Sequence, residues 1–175
     1  TFSIDAQQDG IQAGNTLEIT DGSLNITTGG GASNAPEHTE QMGFPGWFDT
    51  STTEETDSAK GLKSDGDLTV SGGVLLLDCM DDALHCADVM TISDNADLTI
   101  STGDDGLHSD NTLAISGGSI NITKSYEGLE AIFIEISGGE TTLFSSDDGL
   151  NAAGGSSADT DFDFMGPPGG QGISE

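Results

Sequence analysis

The sequence has no arginine and only three lysines, Lys60, Lys63 and Lys124. Against them stand 31 acidic residues, so the formal net charge is −28. This charge excludes nucleic acid as a partner, because phosphate contacts need Lys or Arg side chains. It excludes binding to an anionic membrane surface for the same reason. No apolar run approaches the length of a transmembrane helix, so membrane insertion is not expected.

Aromatic residues are scarce, at 5% of the 175 residues, and cysteine occurs only as Cys79 and Cys86. Glycine occurs 26 times. Such acidity, combined with few lysines and many Thr, Ser, Asn and Gly residues, is typical of secreted bacterial proteins. We therefore expect an extracellular location.

One motif, a charged residue followed by Gly or Ala and then by Leu or Ile, occurs six times. Its second to sixth copies are centred on positions 61, 83, 106, 128 and 149, so the spacings are 22, 23, 22 and 21 residues. The first copy is centred on Gly10, and the interval of 51 residues from 10 to 61 predicts an insertion at about 29–58. Repeats of this length are typical of solenoid proteins.

Apolar and polar residues alternate within each repeat, as at Leu113 and Ile115, and Gly-Gly or Asp-Gly pairs separate the alternating stretches. Three short strands per repeat with no helix predict an all-β fold, a parallel β-helix of about six coils with roughly 22 residues each. Leucine-rich repeats have a similar length but need an Asn or Cys ladder. An antiparallel sandwich would not repeat in phase.

We expect one β-helix domain over 1–157, followed by a Gly/Pro-rich tail or loop over 158–175. Stacked coils place like residues in columns. One interior column is predicted to contain Ile11, Leu62, Leu84, Leu107, Leu129 and Leu150. A second is predicted to contain Ile19, Val70, Ile92, Ile115 and Ile136. No amphipathic capping helix is evident at either end. The open strand edges must therefore be covered by Thr1–Ala6, the insertion, further coils or another subunit.

Stacking also aligns charges on the outside of the coils. Carboxylates at a coil spacing of about 4.8 Å repel by about 3.5 kcal/mol at an effective dielectric constant of 20. Cations held between coils relieve this repulsion, and Ca²⁺ takes several oxygen ligands from such carboxylates. The predicted Ca²⁺ ligands in and beside the repeated motif are Asp81, Asp82, Asp104, Asp105, Glu127, Asp147 and Asp148. A second acidic column after the first strand is predicted from Asp65, Asp88 and Asp110.

The alternative is that these acids are turn formers that cap backbone N–H groups and stay solvated. Adjacent acidic residues on successive coils favour the Ca²⁺-binding interpretation over solvated turns. His85 and His108 share an outward column, where a transition metal is conceivable. A solvated pair is favoured, because no third nitrogen or sulfur ligand is in register. Cys79 and Cys86 both point inward, and a disulfide or two buried thiols remain open alternatives.

The insertion contains the candidate carbohydrate-binding residues Phe44, Trp47 and Phe48. Flat aromatic faces stack on sugar rings in many binding sites. The alternative is that these side chains pack against the side or an open end of the β-helix.

The segments DDGLHSDNTLAISGGSINITKSYEGLEA, Asp104–Ala131, and SSDDGLNAAGG, Ser145–Gly155, resemble a family of secreted bacterial carbohydrate-binding proteins. The resemblance implies a right-handed parallel β-helix like that of polysaccharide lyases. It also implies Ca²⁺ as a bound cofactor and cellulose- or pectin-type polysaccharides as partners. The function that it implies is non-catalytic glycan binding at the cell surface.

Three functions are consistent with the sequence. The first is a calcium-stabilised, non-catalytic module that binds plant-type polysaccharides. The second is a structural β-solenoid that assembles end to end with copies of itself into a filament or surface layer. The third, and least favoured, is a polysaccharide lyase. Lyases of this architecture need a Lys or Arg base near Ca²⁺, and only Lys60 and Lys63 lie near an acidic column.

Overall fold

The computed structural model describes residues 1–38 and 58–152, which form the parallel β-solenoid predicted from the sequence. One short 3₁₀ helix, Ala32–Asn34, follows the fourth strand. The strands of the described residues are β1 (Phe2–Ala6), β2 (Ile11–Ala13), β3 (Leu17–Ile19), β4 (Ser23–Thr28), β5 (Leu62–Ser64), β6 (Leu68–Val70), β7 (Val74–Cys79), β8 (Leu84–Cys86), β9 (Val89–Ile92), β10 (Asp97–Thr102), β11 (Leu107–Lys124), β12 (Leu129–Leu143) and β13 (Leu150–Asn151).

The strands stack in parallel on three faces. The first face has six rungs: β2, β5, β8, the starts of β11 and β12, and β13. The second face has β3, β6, β9 and the middle parts of β11 and β12. The third has β1, β4, β7, β10 and the ends of β11 and β12. The prediction of about six coils with three strands each is confirmed.

Both predicted interior columns are present. Ile11 pairs with Leu62, and the pairing continues coil by coil to Leu150. The second column runs from Ile19 to Ile136 in the same way. Alternation at a period of two turns these side chains inward, and the members of both columns from the first coil to Leu129 and Ile115 form or pack against one continuous core. Leu150 and Ile136, on the last coils, are about half exposed.

Glycine pairs mark the corner before the third face. Gly73, Gly118 and Gly139 have φ values of 91°, 85° and 89°, in the left-handed region where a side chain is strained. They precede strand residues that stand in register on successive coils. The repeated Gly-Gly pairs of the sequence thus set the direction of the chain at this corner.

The predicted insertion lies between consecutive coils, because β4 ends at Thr28 and β5 begins at Leu62. Residues 39–57 and 153–175 are outside the described residues, and the predicted tail at 158–175 falls entirely there. Within the described ranges, no helix is both long enough and apolar enough to cross a membrane.

Candidate functional site

The charged residues of the repeated motif form a column, here called the turn column: Asp9, Lys60, Asp82, Asp105, Glu127 and Asp148. Backbone hydrogen bonds fix it, because the N–H of the residue after each member donates to the carbonyl of the next member. The Gly61 N–H donates to the Asp82 carbonyl at 3.0 Å, and the Ala83 N–H to that of Asp105 at 3.0 Å. Stacked coils therefore hold these side chains one above another.

Lys60 is the one base in the turn column. Its ammonium Nζ lies 2.9 Å from Asp81 Oδ1 and 2.6 Å from Asp82 Oδ2. Burial lowers the pKa of Lys60, but the two carboxylates outweigh burial and raise it above the ordinary value. Burial alone would raise the pKa of Asp82, whereas His85 and Lys60 hold it down at about 2. The single positive charge of Lys60 is thus shared by two of the acids predicted to bind Ca²⁺.

His85 and His108 lie beside the turn column on the outward side of β8 and β11. His85 Nδ1 is 3.1 Å from Asp82 Oδ2, and His108 Nδ1 is 3.0 Å from Asp105 Oδ2. Burial, a hydrogen bond that protonated Asp105 donates to Glu130 and the charge of Asp82 raise the pKa of Asp105, although His108 opposes them. Burial lowers the pKa of His108, but Asp105 and Asp82 raise it above its ordinary value. The sequence predicted this pair but not its carboxylate partners.

The residues one position before the turn column do not form an unbroken acidic ladder. Asp104 and Asp147 are separated by Tyr126, whose N–H donates to the Asp104 carbonyl at 2.8 Å and whose carbonyl accepts from the Asp147 N–H at 2.9 Å. Burial and repulsion from Asp82 raise the pKa of Asp104 to about 6, although His38 opposes them. Only Asp81 and Asp104 of the three predicted acids lie together, beside Asp82.

Glu127 is 9% exposed, and its Oε2 is buried with no hydrogen-bond partner among the residues that the structure describes. Its other oxygen accepts a hydrogen bond from Asn151 at 3.1 Å. Burial raises the pKa of Glu127, and Glu130, Asp147 and Asp148 raise it further against the effect of Asn151. Several negative charges therefore lie close together at the C-terminal end of the turn column.

The second predicted acidic column does not stack. Ser64 pairs with Cys86, and Cys86 with Ser109, so the residues that follow are Asp65, Ala87 and Asp110. Asp88 lies one residue later and accepts a hydrogen bond from Asn111 at 2.9 Å. The sequence prediction ignored this one-residue shift. Asp110 instead faces His108, with its Oδ1 3.3 Å from Nε2.

Within residues 1–38 and 58–152, three sets of side chains bring potential ligand atoms within 4.8 Å of one another. One set contains only oxygen donors and is formed by Asp81, Asp82 and Asp104. It fits a hard cation such as Ca²⁺. The other two sets include an imidazole, which is not a calcium ligand: Asp82, His85 and His108 form the second set, and Asp105, His108 and Glu130 form the third.

An open groove of about 440 Å³ lies where the start of the insertion meets the last coils. Its lining includes Pro36, His38, Lys124, Tyr126 and Asp147. The rings of His38 and Tyr126 stack with their centroids 3.9 Å apart and an interplanar angle of 15°. Sequence reasoning missed this pair, although Tyr126 is the only tyrosine of the chain.

The predicted carbohydrate-binding residues Phe44, Trp47 and Phe48 lie outside the described residues. Of the two alternatives for the cysteines, the structure has free thiols, and both Cys79 and Cys86 are buried. Burial raises the pKa of Cys79 to about 12, so this thiol stays protonated. The Cys86 Sγ donates to Ser109 Oγ at 3.6 Å.

Comparison with known proteins gives one match. A family model described as carbohydrate-binding domain-containing protein matches residues 1–106, which is more than half of the 175 residues. No curated protein and no solved structure matches the chain. The matched segment includes Lys60, Asp82 and His85 but ends before His108 and Tyr126.

Proposed function

Because the chain belongs to the family of carbohydrate-binding domain-containing proteins, we propose that it is an extracellular, calcium-stabilised and non-catalytic module that binds plant-type polysaccharides. The observation that carries this proposal is the family match over residues 1–106. The groove beside the insertion supports it with a surface of suitable chemistry.

The groove combines ring faces with side chains that can bond hydroxyl groups. The stacked His38 and Tyr126 rings offer apolar surface, and Lys124, Ser146 and Asp147 line the same space. Sugar sites commonly combine a flat aromatic face with a few polar groups that fix orientation. We therefore propose that the glycan binds in this groove.

The lysines near the acidic column support a non-catalytic role. A lyase needs a base that can lose its proton at working pH. The Lys60 ammonium is held by two carboxylates that raise its pKa above the ordinary value. Lys63 Nζ lies 3.3 Å from Asp9 Oδ2. Lys60 is thus held in its charged form, and both lysines are engaged as ion-pair partners.

Calcium is proposed at the all-oxygen set of Asp81, Asp82 and Asp104. The raised pKa of Asp104, about 6, results from burial and the neighbouring Asp82 charge. A divalent cation would stabilise the ionised form, and Lys60 would share the two lower carboxylates with it. Binding to the native state alone raises stability by mass action.

The carbohydrate proposal is tested by binding to insoluble cellulose and pectin. We expect Tyr126→Ala to weaken binding at least about fivefold, since stacking on aromatic rings contributes about 1 kcal/mol or more. Phe2→Ala is the matched control, because Phe2 is 66% exposed at the opposite end of the coil stack. Trp47→Ala tests the insertion. Binding that survives both Tyr126→Ala and Trp47→Ala would contradict the proposed location, and no binding by the parent would contradict the function.

The calcium proposal is tested by thermal unfolding with Ca²⁺ and with EDTA at low ionic strength. We expect Ca²⁺ to raise the Tm of the parent and to raise that of Asp104→Asn much less, because hard-cation affinity depends on ligand charge. Asp97→Asn serves as control, since Asp97 is an exposed acid on the third face. An unchanged Tm of the parent would show that calcium does not stabilise the fold.

End-to-end assembly is the second candidate function. It is favoured by apolar side chains on the last coil: Ile132, Phe133 and Ile136 are 50%, 58% and 51% exposed. A second copy stacked there would bury them. Sedimentation velocity should show concentration-dependent oligomers that Phe133→Lys removes. A monomer at all concentrations would exclude this function.

A further inference from the structure

Two imidazoles face the same carboxylates on the first face of the solenoid. His85 and His108 pair in register on β8 and β11, and their ring centroids are 4.7 Å apart. Both turn Nδ1 toward the buried Asp82, whose Oδ2 is 3.1 Å from His85 and 3.7 Å from His108. The nitrogens of successive coils thus converge on one oxygen.

Two further carboxylates complete the cluster around His108. Its Nδ1 lies 3.0 Å from Asp105 Oδ2 and 3.4 Å from Glu130 Oε2. Ligands at about 2.0–2.1 Å from a tetrahedral metal ion stand about 3.3 Å apart. The distances of 3.0–3.7 Å around this nitrogen match that separation. The side chains therefore converge at ligand spacing without rearrangement of the backbone.

The opposite nitrogens of both rings face another acid. Asp110 Oδ1 is 3.3 Å from His108 Nε2 and 3.9 Å from His85 Nε2. Histidines that bind metals commonly donate their second ring N–H to a carboxylate, which fixes the tautomer and orients the ring. With the proton on Nε2, each Nδ1 lone pair points into the cluster. Asp110 thus supplies the outer support that a metal site needs.

We propose that His85, His108 and Asp82, assisted by Asp105 and Glu130, bind a divalent transition-metal ion of the zinc class. Imidazole nitrogen suits zinc, copper and nickel, whereas calcium and magnesium take oxygen. The ion can enter from solvent, because the His85 and His108 side chains are 18% and 23% exposed and line an open pocket of about 260 Å³. This site lies beyond the proposed carbohydrate function and does not depend on it.

Lys60 is the competitor for this site. Its Nζ lies 2.6 Å from the same Asp82 Oδ2 that faces both histidines. It also contacts Asp81 at 2.9 Å, so it keeps one partner when a metal takes Asp82. Removal of the lysine charge should therefore strengthen metal binding.

The test is calorimetric titration of the metal-free protein with zinc chloride and optical titration with cobalt chloride. We expect one ion per chain and the visible absorption of nitrogen-coordinated cobalt. Both titrations are made in Ca²⁺-free buffer, because Asp82 also belongs to the proposed calcium set. His108→Asn should reduce affinity at least about 100-fold and His85→Asn at least about tenfold, while Lys60→Gln should increase it. Asp97→Asn is the control, because Asp97 is an exposed acid on the third face and belongs to none of the three ligand sets.

Circular dichroism verifies that each variant is folded, and His85→Asn alone decides if His108→Asn does not fold. The proposal is overturned by an absence of stoichiometric zinc binding or by cobalt spectra that lack the absorption of nitrogen coordination. It is also overturned if Asp97→Asn weakens binding as much as His85→Asn does.

Discussion

The middle coils and the last described coils follow the same repeat but differ in how they bury apolar groups. In the middle, Leu107 and Ile115 are 0% and 1% exposed. At the end, their column neighbours Leu150 and Ile136 are 53% and 51% exposed. A side chain is enclosed only when coils lie on both sides of it, so the same motif contributes very different stability at the two places.

The two regions differ in charge as well. In the middle, Lys60, His85 and His108 pair with the buried acids Asp82 and Asp105. At the end, none of the described basic side chains forms an ion pair with Glu127, Asp147 or Asp148. The repeat therefore determines the positions of the acidic side chains. Whether these acids have a basic partner depends on single residues that differ from the repeat, such as Lys60.

The largest expected effect contrasts burial within one column. Leu107→Ala should reduce the free energy of unfolding by about 3–4 kcal/mol, because it leaves a cavity between two coils. Leu150→Ala should reduce it by less than about 1 kcal/mol, since half of the side chain is already exposed. Urea denaturation of both variants measures the contrast. Equal losses would mean that Leu150 is enclosed in solution by a part of the chain or a partner outside the described residues.

The second prediction concerns the buried charge of the middle coils. Asp82→Asn keeps the shape of the side chain but removes the carboxylate that Lys60 and His85 share, which leaves Lys60 with Asp81 alone. The lowered pKa of Asp82, about 2, reflects these partners, and the side chain is only 2% exposed. We expect a loss of about 2 kcal/mol in urea denaturation with EDTA at neutral pH. An unchanged stability would show that relief of repulsion with Asp105 offsets the lost ion pairs.

The fold was predictable because the same pattern of apolar, polar and glycine residues occurs in successive coils. Alternation at Leu113 and Ile115 predicts a strand whose apolar side chains point inward, and the Gly-Gly pair that follows predicts a turn. The same pattern recurs in the other coils, which supports the prediction for each of them. The interior columns follow from the spacing alone. Repeats cannot show where one residue is inserted or deleted, so the misalignment of Asp88 with Asp65 and Asp110 was not predicted.

The site was less predictable, because its chemistry depends on side-chain direction across coils. The sequence placed Lys60 in the turn column but did not show that its ammonium reaches both Asp81 and Asp82. The stack of His38 on Tyr126 joins residues 88 positions apart, 126 − 38, through the path of the insertion. The useful signal was each departure from the repeat: a Lys among acids, and a Tyr where three coils have Asp.

The third prediction is a pH dependence of the metal-free protein. The pKa values of Asp104, Asp105, Glu127 and His108 are raised. A group whose pKa is higher in the folded state than in the unfolded state contributes its full stabilisation of the fold below its unfolded pKa. This contribution is lost as pH rises through its folded-state pKa. The lowered pKa of Asp82 acts in the opposite sense, and only below about pH 4.

In EDTA we therefore expect lower stability at about pH 8 than at about pH 5. Asp104, with its pKa of about 6, should contribute about 1 kcal/mol, less than the full effect because its side chain is 38% exposed. Thermal unfolding across this range measures the slope, and Asp104→Asn should reduce it. A free energy of unfolding that rises from pH 5 to pH 8 would contradict the raised pKa values of these four groups.

The smallest effect is expected at the end of the turn column, and its sign should be opposite to that of Asp82→Asn. Asp148 is exposed, and its charge is among those that raise the pKa of Glu127. Asp148→Asn removes one like charge without breaking an ion pair among the described residues. Exposed charges interact weakly, so we expect stabilisation by about 0.5 kcal/mol or less in EDTA, together with a lower pKa of Glu127. Urea denaturation and a carboxyl NMR titration measure the two effects. Destabilisation comparable to that of Asp82→Asn would show that Asp148 has a cationic partner, and the contrast between the two regions would then be wrong.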